Sequence, residues 1–242
     1  MESLKNHIAV VTGASSGIGK SIALELAKHE VILCLLGRNL ESLQVVAKIA
    51  ERTTRHVHCF RVDLTLDQEI IRFCESLSQL HNHVDILIHS AGVISTGPLE
   101  SASVENFDWQ YKTNVRGPYV LTQCLLPMVK AHQGQVVFIN SSAVFGTQAR
   151  LSQYSATKHS LKAVADSFRQ EVNEDGMRVL SVYPGRTASP MQESLYKAEG
   201  KIYNPEILMQ PRDLAMMVIT ALRLPRSAEV TDIHMRPMKK PA

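Results

Sequence analysis

The sequence predicts an α/β fold, a doubly wound parallel sheet of about seven strands with helices on both faces, formed as a single domain over residues 1–242. Three observations predict it. Short runs rich in Val, Ile and Leu alternate with segments of helical periodicity along the chain, the order that yields parallel βαβ units. Most of these runs are nearly continuous in apolar residues, as strands covered on both faces must be. The first run passes directly into a glycine-rich turn and a helix.

In chain order, strands are expected at His7–Thr12, Val31–Leu36, His56–Val62, Val84–His89, Gln135–Asn140, Met177–Val182 and Glu229–Met235. Between them, apolar residues at three- and four-residue spacing mark helices at Gly17–His29, Glu41–Ala50, Val115–His132 and Ser155–Asn173. No repeat or linker interrupts the alternation. Ser189–Gln210 breaks its rhythm with two prolines, a glycine and weak periodicity. A long insertion after a late strand is expected to act as a substrate lid over residues 189–210.

Composition narrows the function. Hydrophobic residues make up 45% and charged residues 20%, the balance of a globular protein with a sizeable core. Net charge is only +3 and the 26 Lys and Arg residues are scattered, which argues against a nucleic-acid partner but tolerates a small anionic ligand. The longest fully apolar run, Val31–Leu36, is far too short to span a membrane. Cys34, Cys59, Cys74 and Cys124 contain no Cys-x-x-Cys pair, and the first strand begins within about ten residues of Met1. A cytoplasmic location is expected from free thiols and the lack of room for a targeting segment.

After the first strand comes Thr12-Gly13-Ala14-Ser15-Ser16-Gly17-Ile18-Gly19. Glycines there let the main chain approach a pyrophosphate, which rests against the positive N-terminus of the following helix. An ordinary tight turn would also use glycine, but the strand before and helix after favour the nucleotide reading. At the end of the second strand stands Leu36-Gly37-Arg38, with no acid between Glu30 and Glu41. An acid at this place would bond a ribose 2′-hydroxyl and repel a 2′-phosphate; Arg38 offers the phosphate a forked, charged donor. NADP(H) is therefore the expected cofactor, with Ser15 or Ser16 assisting.

The spacing Gly13-x-x-x-Gly17-x-Gly19 after Thr12 resembles the roughly 250-residue single-domain branch of the short-chain dehydrogenase/reductase family, which has a Rossmann fold. The resemblance implies that Gly13, Ser15, Ser16, Gly17, Ile18 and Gly19 cradle the cofactor, and that Asp63, with Leu64 beside it, holds the adenine. It also implies that Ser90-Ala91-Gly92 passes under the adenine ribose, although His89 stands where the family usually has asparagine.

Tyr154 and Lys158 are four residues apart at the start of a helical segment, so both project from one face. A nearby ammonium favours the phenolate and is expected to bring the tyrosine pKa down towards the working range. Alone, that spacing is a common accident of exposed helices. Ser141 ends the fifth strand, where doubly wound sheets place ligands. The family's serine precedes its tyrosine by 13 positions, which selects Ser141 here, with Ser142 as the alternative. Its role is to hydrogen-bond the substrate oxygen as negative charge develops. Lys158 can also reach the nicotinamide ribose. Asn114, which would otherwise read as a helix cap, resembles the family's fourth catalytic residue, acting through its main-chain carbonyl and a water. Pro184, Gly185 and Thr187 resemble the turn that meets the nicotinamide carboxamide, with Ser189 a further candidate.

These residues imply an oxidoreductase moving hydride between NADP(H) and a small carbonyl or alcohol substrate. A 3-oxoacyl-thioester reductase shares every motif, and a non-catalytic NADP(H)-binding sensor or scaffold is the reading of another class. Val93, Ile94, Phe145, Met191, Leu195 and Tyr196 are expected to wall a largely apolar substrate pocket. His56, His58, His81 and His83 read as core or surface histidines, and no metal is expected. Phe107, Trp109 and Tyr111 read as packing or interface residues, and Met209, Met216 and Met217 as core. The family's usual homodimer or homotetramer would use Ser101–Gln110 and Ser155–Asn173.

Overall fold

The structure, a computed structural model, describes residues 1–239. Strands β1 (Ile8–Thr12), β2 (Ile32–Gly37), β3 (Val57–Arg61), β4 (Ile86–His89), β5 (Gln135–Ile139), β6 (Arg178–Pro184) and β7 (Asp232–Met235) form one sheet in the order β3-β2-β1-β4-β5-β6-β7. Every neighbouring pair is parallel. All seven expected strands are present, and β6 runs on to Pro184. The helices are α1 (Gly17–Ala27), α2 (Leu40–Ala50), α3 (Asp67–Leu80), α4 (Val104–Tyr111), α5 (Gly117–Lys130), α6 (Ser152–Val172), α7 (Pro190–Ala198) and α8 (Pro211–Leu222).

The strand side chains sort by the period of two that a pleated sheet imposes. Ala9, Val11, Ile86, Ile88, Val137 and Ile139 face one core layer, closed by α1, α2 and α8 through Ile22, Leu43 and Leu214. Val10, Leu87, Val136 and Phe138 face the other, closed by α3, α5 and α6 through Phe73, Leu125 and Leu161. Truncating any fully buried leucine of either layer to alanine costs about 2–5 kcal/mol. β1, β4, β5 and β6 are buried throughout, whereas the edge strand β7 buries only Ile233.

The chain winds outward from β1 to β3 and then returns to β4 on the other side of β1. This reversal opens a crevice at the C-terminal ends of β1 and β4, the place where such sheets bind ligands. Among the described residues, no helix is long and apolar enough to cross a membrane.

Three expectations change. Met209 is buried, but Met216 and Met217 are 51% and 43% exposed on the outer face of α8 and are not core residues. The helix expected from Val115 is entered through a π-helical turn at Lys112–Arg116 that buries Asn114, so Asn114 is no cap. Gly117-Pro118 follows this turn, and Pro118 has no N–H with which to give the Asn114 carbonyl its α-helical bond. Residues 189–210 carry a helix despite their weak periodicity: Ser189 caps α7 by accepting from Gln192 N at 3.2 Å, and Pro190 occupies its first turn.

Candidate active site

The crevice begins as a recess of about 220 Å³ that gathers Gly13, Ser15, Ser16, Gly17, Ile18, Gly19, Arg38, Asp63, Leu64, Ser90, Ala91 and Gly92. Its floor is main chain. Gly13 and Gly17 have φ of 64° and 53°, the left-handed region that glycine adopts without strain. A Cβ on Gly13 would lie 2.7 Å from Ala91 Cα, and one on Gly19 would lie 2.5 Å from the Gly13 carbonyl oxygen. Ser16 makes no side-chain cap, so the first N–H groups of α1 are left for a ligand.

Thr12, which opens the glycine motif, belongs to this site through its side chain. Its buried hydroxyl donates to the Ile88 carbonyl at 3.3 Å and accepts from the N–H groups of Ser90 and Ala91 at 3.0 and 3.1 Å. It therefore ties the end of β1 to the segment that walls the recess. Arg38 is exposed at the rim, and Asp63 is the only acid lining the recess among the described residues. Asp63 Oδ1 accepts from the main chain and hydroxyl of Thr65 at 2.9 and 2.8 Å. These features fit a dinucleotide, with a pyrophosphate over the glycines and an anionic group within reach of Arg38.

His89, standing in the place of an asparagine, points into the core. It is 2% exposed, shares a hydrogen bond with Thr122 Oγ1 at 2.8 Å and stacks on Phe138. Burial pushes its pKa down to about 3, so the ring is neutral.

A second recess of about 240 Å³ shares Ile18, Ser90, Gly92, Ser189 and Met191 with the first, making one continuous cleft. It brings together Ser141, Tyr154, Lys158, Pro184, Gly185 and Thr187. The Ser141 oxygen accepts from Ala143 N at 3.1 Å, capping a short turn at Ser142–Val144, and Ser141 and Tyr154 line the recess together. Ser142 also lines the recess but is exposed. Tyr154 sits deep in the cleft. Burial pushes its pKa up, and the Ser141 side chain offsets part of that rise. This reverses the expected direction: desolvation of the phenolate is the largest influence, and the Lys158 Nζ lies 5.8 Å from the ring centroid. The lysine is itself 4% exposed, donates to the Ile139 carbonyl at 3.1 Å, and has its pKa drawn down to about 8 by burial.

Asn114 positions this group from beneath. Its amide donates to the Val93 carbonyl at 2.9 Å and to Thr157 Oγ1 at 3.1 Å, while its oxygen accepts from Val93 N at 2.8 Å. Thr157 in turn donates to the Tyr154 carbonyl at 2.8 Å. The side chain is thus committed to joining the chain after β4 to α6, leaving only its carbonyl for other work.

The outer wall differs from the apolar pocket expected. Ile94, Met191 and Leu195 line it, but so do Gln148, Arg186, Gln192 and Glu199. Arg186 donates to Glu199 at 2.8 Å and lies over the Tyr196 ring at 4.9 Å, which buries Tyr196 instead of exposing it to the cleft. Phe145 lines neither recess; it is 54% exposed, stacks on His234 and meets Tyr183 edge to face. No local pattern marks Arg186, Gln192 or Glu199, because α7 reaches the cleft only by folding back over it.

Fold and cleft together define a doubly wound, dinucleotide-binding protein. The short chain dehydrogenase family model matches residues 7–200. The chain is 31% identical to an uncharacterized oxidoreductase of Staphylococcus saprophyticus, over 98% of this chain and 100% of that one. It is 28% identical to the sepiapterin reductase of Chlorobaculum tepidum, over 96% of each. A solved structure of a short chain dehydrogenase from Shigella flexneri, complexed with NADP, matches at a TM-score of 0.88 and 27% identity, covering 97% of this chain and 99% of that one. This chain belongs to the short chain dehydrogenase family.

Proposed function

We propose that the protein is an NADP(H)-dependent oxidoreductase that interconverts a small carbonyl compound and its alcohol, with Tyr154, Ser141, Lys158 and Asn114 handling the proton. The observation that carries this reading is the gathering of Ser141, Tyr154 and Lys158 in a cleft continuous with the glycine recess. Bound NADPH would supply the hydride, and NADP⁺ would accept it in the reverse direction.

In reduction, the Tyr154 hydroxyl gives its proton to the substrate oxygen, and the Ser141 hydroxyl donates a hydrogen bond to that oxygen as charge develops. A phenol whose pKa is raised by burial keeps its proton at neutral pH and is well suited to act as the acid. Lys158 carries a positive charge below about pH 8 and stabilises the tyrosinate left behind. The Asn114 carbonyl, denied an α-helical donor by Pro118, would hold a water through which the proton is restored. Gly13, Ser15, Ser16, Gly17, Ile18 and Gly19 would hold the pyrophosphate. Asp63, Leu64, Ser90, Ala91 and Gly92 would frame the adenosine, and Pro184, Gly185 and Thr187 the nicotinamide.

Arg186 Nη1 and Gln192 Nε2 are buried donors without a partner in this wall, which favours a substrate with a polar acceptor beyond its reacting carbonyl. The 189–210 segment, with α7 leaning over the cleft, would serve as the lid. Val104, Phe107 and Tyr111 are exposed on α4 and support an oligomer face there, completed by α6 in a homodimer or homotetramer. Four free cysteines fit a reducing, cytoplasmic setting.

Fluorescence titration of wild type and Arg38→Ala with NADPH and NADH tests the cofactor assignment. Wild type is expected to prefer NADPH, and the variant to lose about ten- to hundredfold in NADPH affinity with little change for NADH. Equal binding of the two by wild type would overturn it.

A further inference from the structure

At the N-terminal ends of the strands, opposite the cleft, we propose that His83, Asp85 and His132 form a binding site for a divalent transition-metal ion of the zinc class. Asp85 immediately precedes β4, His83 lies two residues before it, and His132 lies just beyond α5. The sequence offers only a His-x-Asp there; packing of α5 against the sheet brings the second imidazole. One ligand atom from each residue lies within 4.8 Å of the other two, and no other such group occurs among the described residues.

The spacing suits an ion. His83 Nε2 is 3.3 Å from Asp85 Oδ2, and His132 Nδ1 is 3.1 Å from Asp85 Oδ1. Tetrahedral zinc, with bonds of about 2.0–2.2 Å, sets its ligand atoms roughly 3.3 Å apart. The carboxylate is held in place, because Asp85 Oδ2 also accepts from Ile8 N at 2.7 Å and the side chain is 10% exposed. His83 Nδ1 lies 2.7 Å from the Asn82 amide oxygen, and Nε2 of the same ring is the nitrogen turned towards the carboxylate. Outer partners that orient a ligating imidazole and carboxylate in this way are the usual support of a metal site.

The two rings are stacked at 3.6 Å with planes 28° apart, and ligation requires them to open. The His132 side chain is 53% exposed and has room to do so, and the same open side admits a water as a further ligand. Two imidazole nitrogens with one carboxylate suit zinc and its neighbours; magnesium and calcium prefer oxygen ligands. The nearby His58–His81 pair, with ring centroids 5.8 Å apart, gathers no carboxylate. An ion here would clamp the start of β4 to the end of α5, affecting stability and leaving the distant cleft untouched.

The test is titration of the chelator-stripped full chain with Zn²⁺ against a chromogenic competitor, with thermal unfolding read in parallel. The expected result is one ion per chain and a midpoint raised by about 5–10 °C at a hundredfold excess over Kd. His83→Gln and His132→Gln should each weaken binding at least about tenfold. Asp85→Asn, which keeps an acceptor for Ile8 N–H, should do the same, and His58→Gln should change nothing. NADPH binding by each variant, independent of the metal, reports that it has folded. Should Asp85→Asn fail that control, the two histidine variants decide. Unchanged zinc affinity in His83→Gln and His132→Gln, or no wild-type binding below about 100 μM, would overturn the proposal.

Discussion

The recess around Gly13, Gly17 and Gly19 is made of main chain, whereas the adjoining recess around Tyr154 is made of side chains carried in by β5, α6 and α7. The first has little tolerance: added Cβ atoms would meet backbone at 2.5 and 2.7 Å, and backbone cannot step aside. The second depends on chemistry, because Tyr154→Phe keeps the ring and removes the only proton it can give. One half of the cleft is therefore broken by adding atoms, and the other by deleting one.

That contrast is tested most sharply by Tyr154→Phe. Turnover with a carbonyl substrate is expected to fall about a thousandfold or more while NADPH affinity stays within a factor of two or so, measured by steady-state kinetics beside fluorescence titration. Retained turnover would remove Tyr154 from the mechanism. Gly19→Ala should do the converse. Its Cβ meets the Gly13 carbonyl at 2.5 Å, an overpacking that costs about 1–3 kcal/mol and should weaken NADPH binding at least about tenfold. If NADPH affinity survived while turnover fell, the division between the two recesses would be wrong.

The smallest effect is a pH dependence that sets stability against activity. Burial lowers the Lys158 pKa from 10.5 to about 8, so the folded chain binds fewer protons than the unfolded chain between those values. Stability from this group accordingly rises as pH climbs from about 8 towards 10.5. Reductive turnover, which needs the cation, should fall as pH passes about 8. Denaturant midpoints and kcat/KM measured across that window should move in opposite directions, and Lys158→Met should flatten the stability change.

Much of this was legible in the chain. Runs of Val, Ile and Leu located the five inner strands, since burial on both faces is a property of consecutive residues, and the edge strands expected at His56–Val62 and Glu229–Met235 form as well. The glycine spacing located the recess for the same reason: positive φ at Gly13 and Gly17 is a local requirement. Tyr154 and Lys158 share a helical face by their separation alone. Tertiary structure decided the rest. Long-range packing set the direction of the Tyr154 shift, because desolvation depends on everything around the ring and not on the one cation in sequence. It also exposed Met216, turned Phe145 out of the cleft, carried Glu199 to Arg186, and laid His132 beside Asp85. Periodicity and spacing record what a residue shares with its immediate neighbours; a contact between segments fifty residues apart exists only once the sheet has brought them together.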